Sequence, residues 1–227
     1  MAENDRRFCI CISKEKQDHN TKAALLNGVK WTSEDVITVK FLEGDDDLKA
    51  RVQAAAEDWT APGMANLTLQ FVDDGDADIR ITFVQGDGSW SVLGTECRNV
   101  DQSEATMNYG WLTPDSDDAE IRQVVLHEFG HALGLIHEHQ NPEGGIDWNE
   151  RAVIDELSGP PNNWDEATIR FNVLDRYDPE DTTGTDVDPT SIMMYPIPAT
   201  WTNDGFSAGF NEDLSDTDRE FIRDAYP

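Results

Sequence analysis

HEFGHALGLIHEH, residues 127–139, holds four of the chain's five histidines. His127 and His131 are four apart, which on a helix puts both side chains on one face, one turn from each other. Their ring nitrogens can then converge on one ion at about 2.0–2.1 Å, the distance that zinc requires. Two ligands from one helix do not complete a tetrahedron, so a third must arrive from another direction. Gly134 takes the left-handed conformation cheaply and ends the helix, and the chain turns back to present His137. Three neutral imidazoles leave a fourth position for water, the mark of a catalytic rather than a structural zinc. Glu128 follows the first ligand. Its carboxylate can take a proton from the zinc-activated water and deliver it to a leaving amine. His139 is not at a ligand position and reads as a surface residue or one behind the ligands, with the surface favoured.

HExxH alone fixes three residues and is moderately specific. Here it extends to H-E-x-x-H-x-x-G-x-x-H, a pattern that expects a methionine turn downstream, and SIMMY at 191–195 supplies one. One histidine of this kind would suit a packed core. Three at ligand spacing, with the glutamate, glycine and later methionine, favour a metal site.

Composition sets the frame. The 227 residues suit one domain, or two lobes around one cleft, and seven Trp argue for a packed globule. Lys plus Arg is 17 against 46 Asp plus Glu, a net charge of −29. Such a chain is repelled by nucleic acid and anionic membranes, and no window approaches a membrane span. The acidity reads as a solvated surface rather than a steering field for cationic substrates. Cys9, Cys11 and Cys97 allow at most one internal pair, which argues against a disulfide-built scaffold. The opening MAENDRRFCICI is no secretory signal. Export by another route is favoured over a cytoplasmic location, and a monomer over an oligomer.

Along the chain, residues 1–30 read as an N-terminal arm. Strands are expected at 35–43, 67–72, 78–84, 89–93 and 105–109, with a helix over 45–59. A long helix spans 117–133, with Ile121, Val124, Val125 and Leu126 on its apolar side. Further helices are expected at 148–157, 164–174 and, after a Ser215 N-cap, 216–225.

HEFGHALGLIHEHQNP with SIMMY after it resembles the metzincin zinc endopeptidases. Glu138, Pro142 and the Ser-x-Met-x-Tyr turn make it most similar to bacterial and fungal relatives of astacin, whereas HEFGHALGL alone suits the matrixins equally. GDADIRITF at 75–83, GSWSVLGT at 88–95 and the closing LSDTDREFIRDAYP agree more loosely. The resemblance covers most of the chain from about Trp31. It implies an α+β, two-lobed fold: an upper lobe of twisted mixed sheet with two long helices over about 31–135, and an irregular lower lobe with a C-terminal helix over about 136–227. It implies that Met193 floors the metal, that Tyr195 is a switchable fifth ligand stabilising the oxyanion, and that an extended peptide binds along the strand near Ser89–Gly94 by backbone pairing. Three departures stand out. Asn141, Glu143, Gly144 and Gly145 replace the usual Arg and Asp-Arg-Asp run, three cysteines cannot form the paired disulfides, and no processed terminus is evident to reach Glu138.

Two weaker signals remain. Asp73, Asp74, Asp76 and Asp78, and again Asp178, Asp181, Asp186 and Asp188, make calcium a candidate second ion. Cys9 or Cys11 could place a thiolate in the open zinc position and hold the chain latent, although a buried or free thiol is the commoner role. The expected activity is zinc-dependent endopeptidase. The rivals are a zinc hydrolase of a non-protein amide or ester and a latent or non-catalytic binding protein of the same fold.

Overall fold

The computed structural model describes residues 10–12, 27–141, 145–176 and 187–227. Cys9, the Cys11 side chain, Pro142, Glu143, Gly144, Asp178, Asp181 and Asp186 lie outside the described residues.

Six strands form one sheet: β1 (Ile10–Ile12), β2 (Val36–Phe41), β3 (Thr68–Phe71), β4 (Ile79–Thr82), β5 (Ser89–Val92) and β6 (Met107–Tyr109). Their order is β1-β5-β6-β4-β2-β3. Every neighbouring pair is parallel except β5 with β6, so the sheet is mixed. β2 shows why the residues choose this form. Val36 is exposed while Ile37 and Val39 are fully buried, the period-2 pattern of a strand with one face on a core. On the opposite face, Arg80 is buried by the loop over residues 97–104. Its guanidinium donates to the carbonyls of Ala77, Val100, Asp101 and Glu104, which satisfies the buried cation.

Helices α1 (Asp46–Ala56) and α2 (Asp118–Ala132) pack together under the sheet. Asp45 caps α1 by accepting from the amides of Asp47 and Leu48. Leu48, Val52 and Ala55 form its buried stripe. The helix expected to reach residue 59 ends at Ala56 and tightens into a 3-10 turn, which delivers the Trp59 indole to the carbonyl of Leu126 at 3.0 Å.

Both ends of the described chain fasten α2. Its last carbonyls have no partner within the helix. The Trp31 indole donates to Ala132 O at 2.8 Å, and the Tyr226 hydroxyl to Leu133 O at 2.6 Å. Gly134, with φ of +93°, then reverses the chain.

The remaining helices are α3 (Glu150–Leu157), α4 (Glu166–Ile169) and α5 (Asp216–Ala225). The helix expected over 164–174 is split, because α4 widens into a π turn over Arg170–Leu174. There are two apolar clusters. The first lies between the sheet and α1 and α2, and takes in Ile192, Met193, Ile222 and Tyr226. The second gathers α3, α4, Met194, Tyr195 and Trp201. SIMMY therefore passes from one cluster to the other, and α5 packs with the first.

Candidate metal centre

α2 carries His127 and His131 to the boundary between the two clusters. After Gly134 the chain returns with His137 from the opposite side. His131 and His137 are fully buried and His127 nearly so. The ligating atoms of the three lie within 4.8 Å of one another, and among the described residues this is the one group of three or more His, Cys, Asp or Glu placed to hold a metal.

The outer nitrogens explain the convergence. His127 Nδ1 lies 2.8 Å from Ile192 O, and His131 Nδ1 lies 2.8 Å from Leu135 O. A carbonyl only accepts, so each Nδ1 carries the proton and each Nε2 presents a lone pair. His137 Nδ1 meets Gln140 Oε1 at 3.2 Å. The Gln140 amide is oriented by its own donation to Phe171 O and Asp175 O, both carbonyls of the π turn and its exit. Burial pushes His127 down to about 4. Burial first, and the neighbouring imidazoles second, hold His131 and His137 well below the ordinary imidazole value. All three are neutral at pH 7. His131 Nε2 and His137 Nε2 stand 3.1 Å apart, two lone pairs aimed at one point. That arrangement repels by itself and suits a cation, and neutral imidazole nitrogens suit zinc.

Glu128 is fully buried beside His127 and, with Tyr195, lines a cavity whose apolar wall includes Trp111, Val124, Met194 and Phe210. The Tyr195 ring packs 4.2 Å from that of His137, centroid to centroid. Met193 is buried below. The structure thus brings together every residue singled out at the motif: His127, Glu128, His131, His137, Met193 and Tyr195.

Sequence reasoning missed Gly130. A Cβ there would stand 2.3 Å from the Met193 sulfur and 3.3 Å from the Trp59 ring. The glycine between the two helical histidines is what lets Met193 press against α2. Gly130→Ala overpacks this contact and lowers stability by about 1–3 kcal/mol. Urea unfolding of the two proteins measures it, and equal midpoints would remove the constraint.

His139 corrects an expectation. It is buried rather than at the surface. The 3-10 turn over Glu138–Gln140 tucks it under Tyr195, with ring centroids 4.6 Å apart, and Asn172 O accepts from its Nε2 at 3.0 Å. Glu138 ties the third-histidine loop to the segment before SIMMY. Its amide donates to Met193 O and its carboxylate accepts from Asp188 N.

Two other expectations meet a different arrangement. The edge of β5, proposed to receive an extended peptide, is already paired: Ile10, Cys11 and Ile12 lie parallel to Trp90, Ser91 and Val92. Gly94 is past the strand and begins a 3-10 turn. In the first aspartate run, Asp73, Asp74 and Asp76 are exposed, while Asp78 accepts from Thr38 and Arg98.

Comparison with known proteins follows the same lines. The matrixin family model matches residues 30–143. Interstitial collagenase of Bos taurus is 30% identical over 102 residues, 40% of this chain and 21% of that protein. Matrix metalloproteinase-2 of Drosophila melanogaster is 27% identical over 192 residues, 68% of this chain and 25% of that protein. The match therefore spans about a quarter of these relatives or less. Among solved structures, myroilysin is 40% identical with a TM-score of 0.87, over 89% of this chain and 98% of that one. High choriolytic enzyme 1, a hatching-enzyme zinc protease of Oryzias latipes, has a TM-score of 0.59 at 18% identity, over 91% of this chain and 98% of that one, a likeness of fold alone.

Proposed function

The chain belongs to the matrixin family of metzincin peptidases, and we propose from this membership that it is a zinc-dependent endopeptidase. The observation that carries the reading is the convergence of three neutral, buried histidines beside a buried glutamate. The matched family is matrixin. The finer astacin-like assignment rests on Glu138, Pro142 and the Ser191–Tyr195 turn alone.

His127, His131 and His137 hold the zinc. When bound, zinc supplies a Lewis acid for the peptide carbonyl and for the attacking water. Glu128 removes a proton from that water as it attacks and gives it to the departing amine. The Tyr195 phenol donates to the oxyanion of the tetrahedral intermediate. Trp111, Val124, Met194 and Phe210 offer an apolar wall to a substrate side chain and exclude water from the reacting atoms.

The test uses casein. Hydrolysis is expected with zinc bound, lost after chelation, and restored together with full thermal stability by zinc alone. Recovery that needs added calcium would bring the aspartate runs back into account. Cleavage of small amides or esters without casein cleavage would favour the non-protein hydrolase.

An extended substrate pairs with the edge of β5, where it competes with residues 10–12. Deletion of residues 1–26 therefore raises kcat/KM on casein, mainly through KM. Unchanged kinetics would mean that the arm does not block the edge.

A further inference from the structure

Of the three histidines, His127 has its Nδ1 acceptor farthest away in the chain. His131 and His137 find their acceptors four and three residues on, whereas Ile192 O is 65 residues from His127. The first ring is therefore aimed by the position of the 191–193 turn. That turn is held from behind by Asp218 in α5. Ser191 Oγ donates to Asp218 Oδ1 at 2.6 Å, and Ile192 N donates to Oδ2 at 2.8 Å. Ser191 Oγ in turn accepts from Met193 N at 3.0 Å.

The same carboxylate belongs to the capping box of α5. It accepts from Ser215 N at 2.9 Å, and Ser215 Oγ accepts from Asp218 N at 3.0 Å. A capping box needs only those two bonds and is ordinarily open to water. Asp218 is only 5% exposed, and its further bonds all run to the methionine turn. Burying a carboxylate is costly unless donors surround it. Here three donors from two segments do so, and a negative charge on Ile192 N polarises the chain of bonds that continues from Ile192 O to His127.

We propose that Asp218 is a positioning residue of the metal centre, fixing the orientation of His127 through the two backbone polar groups of Ile192. The inference rests on His127 being a zinc ligand. Partners of this kind behind a ligating histidine govern metal affinity, with losses on mutation of about 10–100-fold.

The experiment measures the zinc dissociation constant by competition with a chromophoric chelator, alongside the melting temperature of the metal-free protein. Asp218→Ala binds zinc about 10–100-fold more weakly. Asp218→Asn keeps one acceptor oxygen for Ile192 N and recovers part of the loss. Ser215→Ala removes the helix cap and a hydroxyl bond to Asp188 but keeps the bonds from Asp218 to the methionine turn, so its melting temperature falls while its zinc affinity stays at the wild-type value. Wild-type affinity in Asp218→Ala would overturn the proposal, as would a Ser215→Ala variant that loses as much affinity as Asp218→Ala. Should Asp218→Ala fail to fold, Asp218→Asn decides, because it keeps the shape of the side chain while removing the charge that Ile192 N meets. Weakened zinc binding there supports the proposal and undiminished binding overturns it. A wild-type protein that binds no zinc overturns the metal reading itself, a different result from unaltered variants of a zinc-binding parent.

Discussion

Glu128→Gln retains zinc, folds as the parent does, and hydrolyses casein about 10²–10⁴-fold more slowly, nearly all of the loss in kcat. The amide has the shape of the carboxylate and no useful basicity. Each histidine keeps its outer acceptor, at Ile192 O, Leu135 O and Gln140 Oε1, none of which involves Glu128. Metal content therefore stays at the wild-type level. In the proposed binding mode substrate affinity comes from the apolar wall and the β5 edge, neither of which includes the Glu128 carboxylate, so KM is expected to change little. Zinc analysis and steady-state kinetics on both proteins decide the matter. A variant that keeps more than a tenth of the rate with zinc bound would mean that another group moves the proton.

The metal centre was readable from the sequence because its logic is local. Two histidines four apart on a helix, a glycine to end that helix and a third histidine three residues on need no knowledge of the rest of the chain. Tyr195 and Met193 were readable only through family resemblance, since no spacing links them to His127. The sheet strands followed from alternation and Asp-Gly or Pro-Gly breaks. What stayed hidden depends on pairings between distant residues. Nothing in Ile10–Ile12 announces that it will lie beside Trp90–Val92. Gly130 sits inside a helix, where a glycine costs about 1 kcal/mol relative to alanine, and only the Met193 sulfur against it explains the choice. His139 looked polar enough for the surface because the sequence does not say that Tyr195 and Trp148 will close over it. Asp218 reads as an ordinary capping residue until the Ser191 hydroxyl and Ile192 amide are seen to reach it. Helix ends moved for a similar reason: the 3-10 turn at Trp59 and the π turn after Ile169 are set by where Leu126 O and Gln140 must be met, not by propensity.

Acid unfolds the metal-free protein between about pH 6.5 and pH 4, and bound zinc moves that transition to lower pH. Four buried histidines cause this. Burial pushes His127 down to about 4 and His139 to about 3, and holds His131 and His137 well below the ordinary range. In the unfolded chain each takes up a proton near pH 6.5. Over the interval between the two values the unfolded state binds more protons, so stability falls with pH. His127 alone accounts for about 3 kcal/mol of the loss, a large share of the roughly 5–15 kcal/mol that holds a typical domain together. Glu138 acts in the opposite sense. Burial pushes its carboxyl up to about 7, so in the folded state it gains its proton earlier, and its contribution is lost as pH rises through 7. Burial raises the Asp218 carboxyl in the same direction, and two such groups do not offset four. Zinc competes with protons for the same lone pairs on His127, His131 and His137, and ligand bound only to the native state adds stability in proportion to the logarithm of its concentration over Kd. Tryptophan fluorescence against pH, with and without zinc, follows both transitions, since Trp59 and Trp201 lie in the two clusters. A metal-free protein that stays folded to pH 3, or two curves that coincide, would show that the histidines are not buried as neutral rings around a metal position.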